Sequence, residues 1–250
     1  MSVDGKIAVV TGAGGGLGKQ HALLLAEHGA KVVVNDLGGN LDGSGSGDAA
    51  DMVVEEIRSL GGEAIANKNS VSDRDGAKNI IGAAVNEWGT VDIVVNNAGV
   101  MWAGASHEID IEHVISMVRV NIEAAFRVAH LFVRYFYKQN SGHIINTSSV
   151  LGTKVRPNAG AYSATKYAVE ALSETMRMEL AETNVKVTCV EPGLVMTDLH
   201  DHFDVHPKDA SGLDKPLVPD DIARIVLEVA TQPAHVLIPK VMILPKHGAI

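Results

Sequence analysis

The stretch KIAVVTGAGGGLGKQHALLLAEHG, residues 6–29, decides the fold class of this chain. Its apolar start, Lys6 to Val10, predicts a short buried strand. The glycines that follow predict a tight turn, which opens a helix ending near Gly29. Glycines let a backbone approach a pyrophosphate closely, and the free N–H groups at the start of a helix stabilise its negative charge. The stretch therefore predicts a dinucleotide-binding turn at the edge of a parallel sheet.

The glycine spacing of this turn is Gly12-x-x-x-Gly16-x-Gly18, and Leu17 breaks the common Gly-x-Gly-x-x-Gly pattern. A glycine cluster of this kind also occurs in ordinary tight loops. The interpretation of the turn therefore depends on the strand that follows it.

That second predicted strand, Lys31 to Asn35, ends in Asp36. An acidic side chain at this place can bond both hydroxyls of an adenosine ribose, and it repels a 2′-phosphate. Gly15 and Leu37 stand where a phosphate-binding Arg or Lys would help. The pattern predicts NAD rather than NADP as cofactor, and the alternative for Asp36 is a plain loop acid.

Strand and helix patterns alternate along all 250 residues, without an internal repeat or a break in composition. Two of the predicted helices are long, at 111–137 and 161–183. The alternation predicts a single α/β domain, residues 1–250, with a Rossmann-type doubly wound parallel sheet of about seven strands flanked by helices.

Composition excludes several classes of partner. The net charge of −9 argues against nucleic acid or a membrane surface, because either would select a basic patch. No uncharged apolar run reaches the length of a membrane span, and the first residues lack the pattern of a signal peptide. Cys189 is the only cysteine, so we expect no internal disulfide and a reducing, cytoplasmic location.

Three residues predict the chemistry. Tyr162 and Lys166 lie four residues apart in a predicted helix, so they share one face. A phenol with an ordinary pKa of about 10 is a poor acid or base at neutral pH, but a neighbouring ammonium lowers that pKa. Ser149, 13 positions before Tyr162, can hold the same substrate oxygen. The group predicts proton transfer at an alcohol; the alternative is a half-exposed Tyr-x-x-x-Lys pair that arises by chance.

Histidines and aspartates crowd the segment 196–216. They are His200, His202, His206, Asp198, Asp201 and Asp204. Because no predicted helix presents two of these histidines on one face and no cysteine accompanies them, we predict a solvated lid and no metal site.

Taken together, the motifs resemble the short-chain dehydrogenase/reductase family over nearly the whole chain. The marks of that family are Thr11-Gly12-x-x-x-Gly16-x-Gly18, Asn96-Asn97-Ala98-Gly99, Asn121, Ser149, Tyr162-x-x-x-Lys166 and Pro192-Gly193. Residues 1–75 resemble in particular the hydroxyacyl-CoA dehydrogenase part of the peroxisomal multifunctional enzyme. The second half looks more like general short-chain ketoreductases.

The resemblance implies a role for each position. Tyr162 is the expected acid/base, Lys166 lowers its pKa and bonds the nicotinamide ribose, and Ser149 orients the substrate oxygen. Asn121 is expected to hold a water that links Lys166 to a proton path. The implied cofactor contacts are Gly12, Gly14, Gly16, Leu17, Gly18, Asp36, Leu37, Ser70, Val71, Asn97, Ala98, Gly99, Tyr162, Lys166, Pro192, Gly193, Val195 and Thr197. Ser70-Val71 departs from the Asp-Val pair with which many members contact adenine.

The implied substrate contacts are Ser149, Leu151, Tyr162 and Met196. Further apolar residues are expected in the wall of the pocket: Met101, Trp102, Val150, Val155, Leu199 and Phe203. Such a wall favours NAD-linked interconversion of a hydrophobic secondary alcohol and a ketone, with an alicyclic, aromatic or steroidal substrate.

Two alternatives stay open. A 3-hydroxyacyl-CoA dehydrogenase would need basic residues at the mouth of the site, for which the candidates are Lys154, Arg156, Lys208 and Lys215. A non-catalytic NAD-sensing protein would keep the fold without turnover. The family resemblance also implies a homotetramer or homodimer, packed through the helices at 111–137 and 161–183.

Overall fold

The computed structural model describes residues 2–38, 47–203, 205, 208–209 and 212–247 of the chain. Its strands are β1 (Ile7–Thr11), β2 (Lys31–Asn35), β3 (Glu63–Asn67), β4 (Ile93–Asn96), β5 (Gly142–Thr147), β6 (Val185–Pro192) and β7 (Lys240–Ile243). They form one sheet in the order β3-β2-β1-β4-β5-β6-β7, and every neighbouring pair is parallel. The prediction of a doubly wound parallel sheet of about seven strands is confirmed.

The helices that cover this sheet are α1 (Gly16–Glu27), α2 (Ala49–Ser59), α3 (Arg74–Trp88), α4 (Ile111–Met117), α5 (Ala125–Gln139), α6 (Gly160–Glu179) and α7 (Pro219–Ala230). Short 3₁₀ turns lie at Val150–Gly152 and Asp198–His200. No helix among the described residues is both long and apolar enough to cross a bilayer.

Side chains of the central strands feed two separate cores because successive residues point to opposite faces. Ala8 and Val10 of β1 join a core with residues of α1, α2 and α7. Ile7 and Val9 of the same strand join the other core, with residues of α3, α5 and α6. All five residues of β1 are buried, as expected for a strand covered on both faces.

The predicted helix 111–137 is continuous but not uniform. Between α4 and α5, residues Val118–Ala124 form a π-helical segment with Asn121 at its centre. Its i→i+5 hydrogen bonds accommodate an extra residue in the turn, and such segments are frequent at functional sites. The spacing of the apolar residues does not indicate this segment, because the α-helical turns on either side of it keep the usual period.

Two features of the sequence fall partly outside the described residues. The stretch from Leu37 to Ala49 is rich in glycine and serine and predicts a long loop, of which residues 39–46 lie outside. Asp204 and His206 of the histidine and aspartate cluster lie outside as well.

Candidate active site

The glycine turn between β1 and α1 is held against the end of β4. Gly12 has a φ of +62°, and a Cβ there would lie 2.8 Å from the Cα of Ala98. The side-chain amide of Asn97 donates to the carbonyl oxygens of Thr11, at 3.1 Å, and Gly12, at 3.3 Å. A Cβ on Gly18 would overlap the Gly12 carbonyl. These contacts explain why larger residues cannot replace the two glycines without moving the turn.

A cavity of about 550 Å³ opens in front of this turn, at the carboxyl ends of β1, β4, β5 and β6. Most of the expected cofactor contacts line it: Gly12, Gly14, Gly16, Leu17, Asp36, Asn97, Ala98, Gly99, Tyr162, Lys166, Pro192, Gly193, Val195 and Thr197. Leu37, Ser70 and Val71 line a second cavity of about 150 Å³, whose wall also contains Gly12, Asp36 and Ala98. Gly18 lines neither cavity; it packs behind the turn.

Asp36 connects the end of β2 to the glycine turn. Its carboxylate accepts hydrogen bonds from the backbone N–H of Gly14, at 2.8 Å, and of Gly38, at 2.7 Å. A Cβ on Gly14 would lie 2.8 Å from the Cγ of Asp36, so only glycine leaves this space open. Free backbone at the turn, a helix N-terminus beside it and an oriented acid at the next strand fit a dinucleotide.

Ser149, Tyr162 and Lys166 are buried and line the same cavity. Ser149 follows β5, and its Oγ accepts a hydrogen bond from the N–H of Leu151 at 3.1 Å, within the 3₁₀ turn. The Ser149 hydroxyl acts on the Tyr162 hydroxyl and lowers its pKa. Lys166 lies one turn further along α6, with its Nζ 5.7 Å from the centroid of the Tyr162 ring. The structure therefore brings the three predicted residues together.

The pKa of Tyr162 differs from the prediction. Burial raises this pKa to about 12, while the Ser149 hydrogen bond and the charge of Arg156 act to lower it. The ammonium of Lys166 donates to the carbonyl of Thr147 at 2.9 Å, and burial lowers the pKa of Lys166 to about 8. That Lys166 lowers the pKa of the phenol stays a prediction.

Asn121 is occupied by protein contacts. Its amide donates to the carbonyl of Val100, at 2.8 Å, and to the Thr165 hydroxyl, at 3.2 Å, while its oxygen accepts from the Val100 N–H at 2.9 Å. Thr165 in turn donates to the carbonyl of Tyr162 at 2.7 Å. Both polar atoms of the side chain therefore have protein partners, and the water that the family resemblance places at Asn121 stays a prediction. Asn121 instead ties the π-helical segment to the helix that carries Tyr162.

Some of the expected substrate contacts line the cavity and others do not. Leu151 lines the cavity beside Ser149 and Tyr162, with Met101, Val150 and Leu199 as further apolar lining. Met196 does not line it and is 38% exposed. The reason is side-chain alternation: Val195 forms a bridge with Leu217 and is buried, so the next side chain points away. Val155, 72% exposed, is also absent from the lining.

Sequence reasoning missed other parts of the wall. The additional lining residues include Thr147, Leu194, Asp198, His200, Leu213, Leu244 and Pro245. They come from the last residue of β5 and from the loops after β6 and β7, which no short motif marks. Trp102, predicted as wall, instead stacks on His113 with ring centroids 3.7 Å apart and contacts His202 at 4.1 Å. Within the described ranges, no group of three His, Cys, Asp or Glu residues is placed to hold a metal ion.

Residues 6–207 match the family model described as short chain dehydrogenase. A short-chain type dehydrogenase/reductase of Mycobacterium tuberculosis is 38% identical over 234 residues, which cover 92% of this chain and 79% of that protein. The peroxisomal multifunctional enzyme type 2 of Mus musculus is 38% identical over 230 residues, which cover 91% of this chain and 30% of that longer protein. The similarity indicated by residues 1–75 is confirmed and extends well beyond them.

Two solved structures share the fold. An alcohol dehydrogenase from the archaeon Thermococcus sibiricus, complexed with 5-hydroxy-NADP, matches with a TM-score of 0.85 at 25% identity, over 99% of both chains. A 7α-hydroxysteroid dehydrogenase complexed with NADH and 7-oxoglycochenodeoxycholic acid matches with a TM-score of 0.81 at 28% identity, over 96% of this chain and 94% of the other. On the fold, the site geometry and these matches, the chain belongs to the short-chain dehydrogenase/reductase family.

Proposed function

We propose that the protein is an NAD-dependent oxidoreductase that interconverts a hydrophobic secondary alcohol and a ketone. The observation that carries this proposal is the burial of Ser149, Tyr162 and Lys166 in one cavity with the glycine turn. An acid/base, an orienting hydroxyl and a dinucleotide cradle meet there. The apolar lining and the hydroxysteroid dehydrogenase among the structural neighbours support a hydrophobic substrate.

Each residue of the site has a separate role in the proposed reaction. A bound nicotinamide supplies the hydride acceptor or donor for the carbon that bears the oxygen. Ser149 holds the substrate oxygen next to the Tyr162 hydroxyl, with which it lines the same cavity. Tyr162, as the phenolate, takes the hydroxyl proton during oxidation, and as the phenol it returns that proton during reduction. Lys166, fixed by the Thr147 carbonyl, keeps a positive charge beside the phenolate that forms.

The activity is tested by nicotinamide absorbance with a panel of steroid, alicyclic, aromatic, aliphatic and polyol alcohols. We expect Tyr162→Phe to lose turnover by about a thousandfold or more, because the substitution removes the group to which the proton transfer is assigned. Tyr167→Phe is the matched control, since Tyr167 lies on the same helix but is 43% exposed. Near-normal turnover by Tyr162→Phe would refute the assignment of the acid/base.

The preference for NAD rests on Asp36, whose carboxylate lies between the two cavities. The structural neighbours bind cofactors of both kinds, so the acid rather than the family favours NAD. We expect Asp36→Asn to lower the ratio of kcat/KM for NAD to that for NADP by about 10- to 100-fold. Asp75→Asn, at an exposed acid of α3, should leave the ratio unchanged. An unaltered ratio in Asp36→Asn would contradict NAD selection by this residue.

A second candidate activity is that of a 3-hydroxyacyl-CoA dehydrogenase. The similarity to the multifunctional enzyme over 91% of this chain favours it. Adding 3-hydroxyacyl-CoA thioesters to the same panel separates the two candidates by their kcat/KM values.

We further propose that the protein acts as a homotetramer or homodimer in the cytoplasm. Ile111, Val118, Tyr167 and Met178 are exposed apolar residues on α4, the π-helical segment and α6, which supports packing between copies. The single, buried Cys189 is compatible with a reducing compartment. Light scattering tests the assembly, and a mass equal to the 26.4 kDa of one chain would refute it.

A further inference from the structure

The large cavity contains one cation besides Lys166. Of the four basic residues expected at its mouth, only Arg156 lines the wall; Lys154, Lys208 and Lys215 do not. Arg156 belongs to the exposed segment between the 3₁₀ turn after β5 and the start of α6. That segment is held at its far end, because Asn158 accepts a hydrogen bond from the N–H of Gly104 at 2.8 Å. The guanidinium is therefore carried by an anchored stretch of backbone.

The Arg156 side chain has no acidic partner among the described residues. Within the described part of the chain its guanidinium makes no hydrogen bond or ion pair, whereas Arg127 and Arg224 each bind acids of their own helices. Its charge reaches the hydroxyl of Tyr162, where it lowers the pKa. Arg156 is thus a cation in the wall of the cavity that holds Tyr162, without an acidic partner among the described residues, in a protein with a net charge of −9.

Met101, Leu151, Leu199 and Leu213 give the wall an apolar part. Its polar lining includes Ser148, Ser149 and His200, and two acids also line it: Asp36 at the glycine turn and Asp198. A guanidinium presents a planar fork of donors that matches a carboxylate in two parallel hydrogen bonds. An apolar wall with one such fork selects an amphipathic molecule with a carboxylate near its reacting carbon.

Coenzyme A is a poorer match for this arrangement. Its phosphates are separated from the acyl chain by the whole pantetheine arm, whereas Arg156 lines the same cavity as Tyr162. We infer that Arg156 binds a carboxylate carried by the substrate itself, so that the substrate is a hydrophobic hydroxy acid or oxo acid. This inference rests on the proposed alcohol oxidation and narrows its substrate class.

The kinetic test compares matched substrates that differ only in charge. The probes are 3-hydroxyoctanoate and 4-hydroxycyclohexanecarboxylate, their methyl esters, and the coenzyme A thioester of the first. We expect Arg156→Gln to raise the KM of the acids by about tenfold while the esters change little. Since Arg156 also influences Tyr162, the readout is the ratio of acid to ester, in which an effect common to both cancels.

Two further variants sharpen the kinetic result. Lys154→Gln removes a nearby exposed cation that does not line the cavity, and it should leave the ratio unchanged. Arg156→Lys keeps the charge but not the fork, so it should recover part of the preference for the acids. Equal kcat/KM for acid and ester in the unaltered protein would overturn the inference, as would a preference for the thioester that Arg156→Gln does not alter.

A binding measurement separates this inference from the proposed function. Calorimetric titration with octanoate and with octanamide needs no turnover. We expect octanoate to bind about tenfold more tightly than the amide, and Arg156→Gln to abolish that difference. If none of the alcohols is oxidised but octanoate still binds through Arg156, the proposed oxidation fails and the carboxylate site stands. If octanoate and octanamide bind equally, or neither binds, the carboxylate site is refuted.

Discussion

At Tyr162, neighbouring groups favour the ionised phenol, whereas burial favours the neutral form. The phenol is enclosed by the cavity wall, and burial raises its pKa to about 12 even though Ser149 and Arg156 act to lower it. The same enclosure lowers the pKa of Lys166 to about 8. A charge is costly in a poorly solvated site, so burial favours the neutral form of both groups. The pKa of the tyrosine therefore rises and the pKa of the lysine falls. Burial therefore determines the protonation of this pair more than their four-residue spacing does.

Lys166 provides a prediction at this scale. Because the unfolded chain holds this proton more tightly than the fold does, the charged lysine destabilises the fold below pH 8. We expect Lys166→Met to increase the free energy of unfolding at pH 7 by about 3 kcal/mol, less what the lost bond to Thr147 costs, while turnover is lost. Activity and stability should thus change in opposite directions.

Urea denaturation at pH 7 and pH 9 tests how the stabilising effect of Lys166→Met changes with pH. Between these values the advantage of Lys166→Met over the unaltered protein should shrink, because the native lysine loses its proton above pH 8 while the unfolded lysine keeps it. A difference that stays constant with pH would contradict the assigned cause. Lys154→Met, at an exposed lysine, is the control.

At the scale of elements, the π-helical segment and α6 are joined by one side chain. Asn121 bonds the backbone of Val100 on one side and Thr165 on the other, and Thr165 bonds the carbonyl of Tyr162. The widened turn therefore places the amide where it can reach both the segment after β4 and the helix that carries the acid/base. Cofactor-facing backbone and catalytic side chain are positioned by a common contact.

Asn121→Ala tests this role. The change leaves the N–H and carbonyl of Val100 without their partner, so we expect it to lower the free energy of unfolding by about 2–3 kcal/mol and to reduce kcat as well. Thr165→Val, which removes the bonds of this hydroxyl to Asn121 and to the Tyr162 carbonyl, should cost about 1–2 kcal/mol. The measurements are urea denaturation and steady-state kinetics. Loss of kcat with unchanged stability would instead support the water-holding role that the family resemblance implies.

At the scale of the whole molecule, two buried histidines limit stability in acid. His21 of α1 and His143 of β5 lie in different parts of the interior, and burial lowers the pKa of each to about 3; the charge of Lys186 adds to the effect at His143. Both are neutral in the fold. When the pH falls below the ordinary histidine pKa of about 6.5, the unfolded chain binds protons that the folded chain does not.

We therefore expect the free energy of unfolding to fall as the pH drops from about 6.5 toward 3, with each histidine contributing about 1.4 kcal/mol per pH unit. Urea denaturation at pH 7, 6 and 5 measures this slope. His21→Leu removes one of the two groups, so the slope of its unfolding free energy against pH should be shallower by the contribution of one proton, about 1.4 kcal/mol per pH unit. His28→Leu, at an exposed histidine of the same region, should not change the slope. Equal slopes in all three proteins would exclude His21 as a cause.

Local patterns in the chain were sufficient for the sheet, the glycine turn and the grouping of Ser149, Tyr162 and Lys166. These features depend on short-range geometry: strand ends meet at one edge of a parallel sheet, and residues four apart share a helix face. Met196 was misplaced because its direction depends on a bridge between Val195 and Leu217, which are distant in sequence.

Three other outcomes required the folded chain: the π-helical turn at Asn121, the rise in the pKa of Tyr162, and the unpaired Arg156 in the cavity wall. Each depends on which atoms surround a group from every side, and hence on solvation and long-range packing. A motif specifies its own spacing but not the burial of its side chains, so these properties were decided only when the elements packed together.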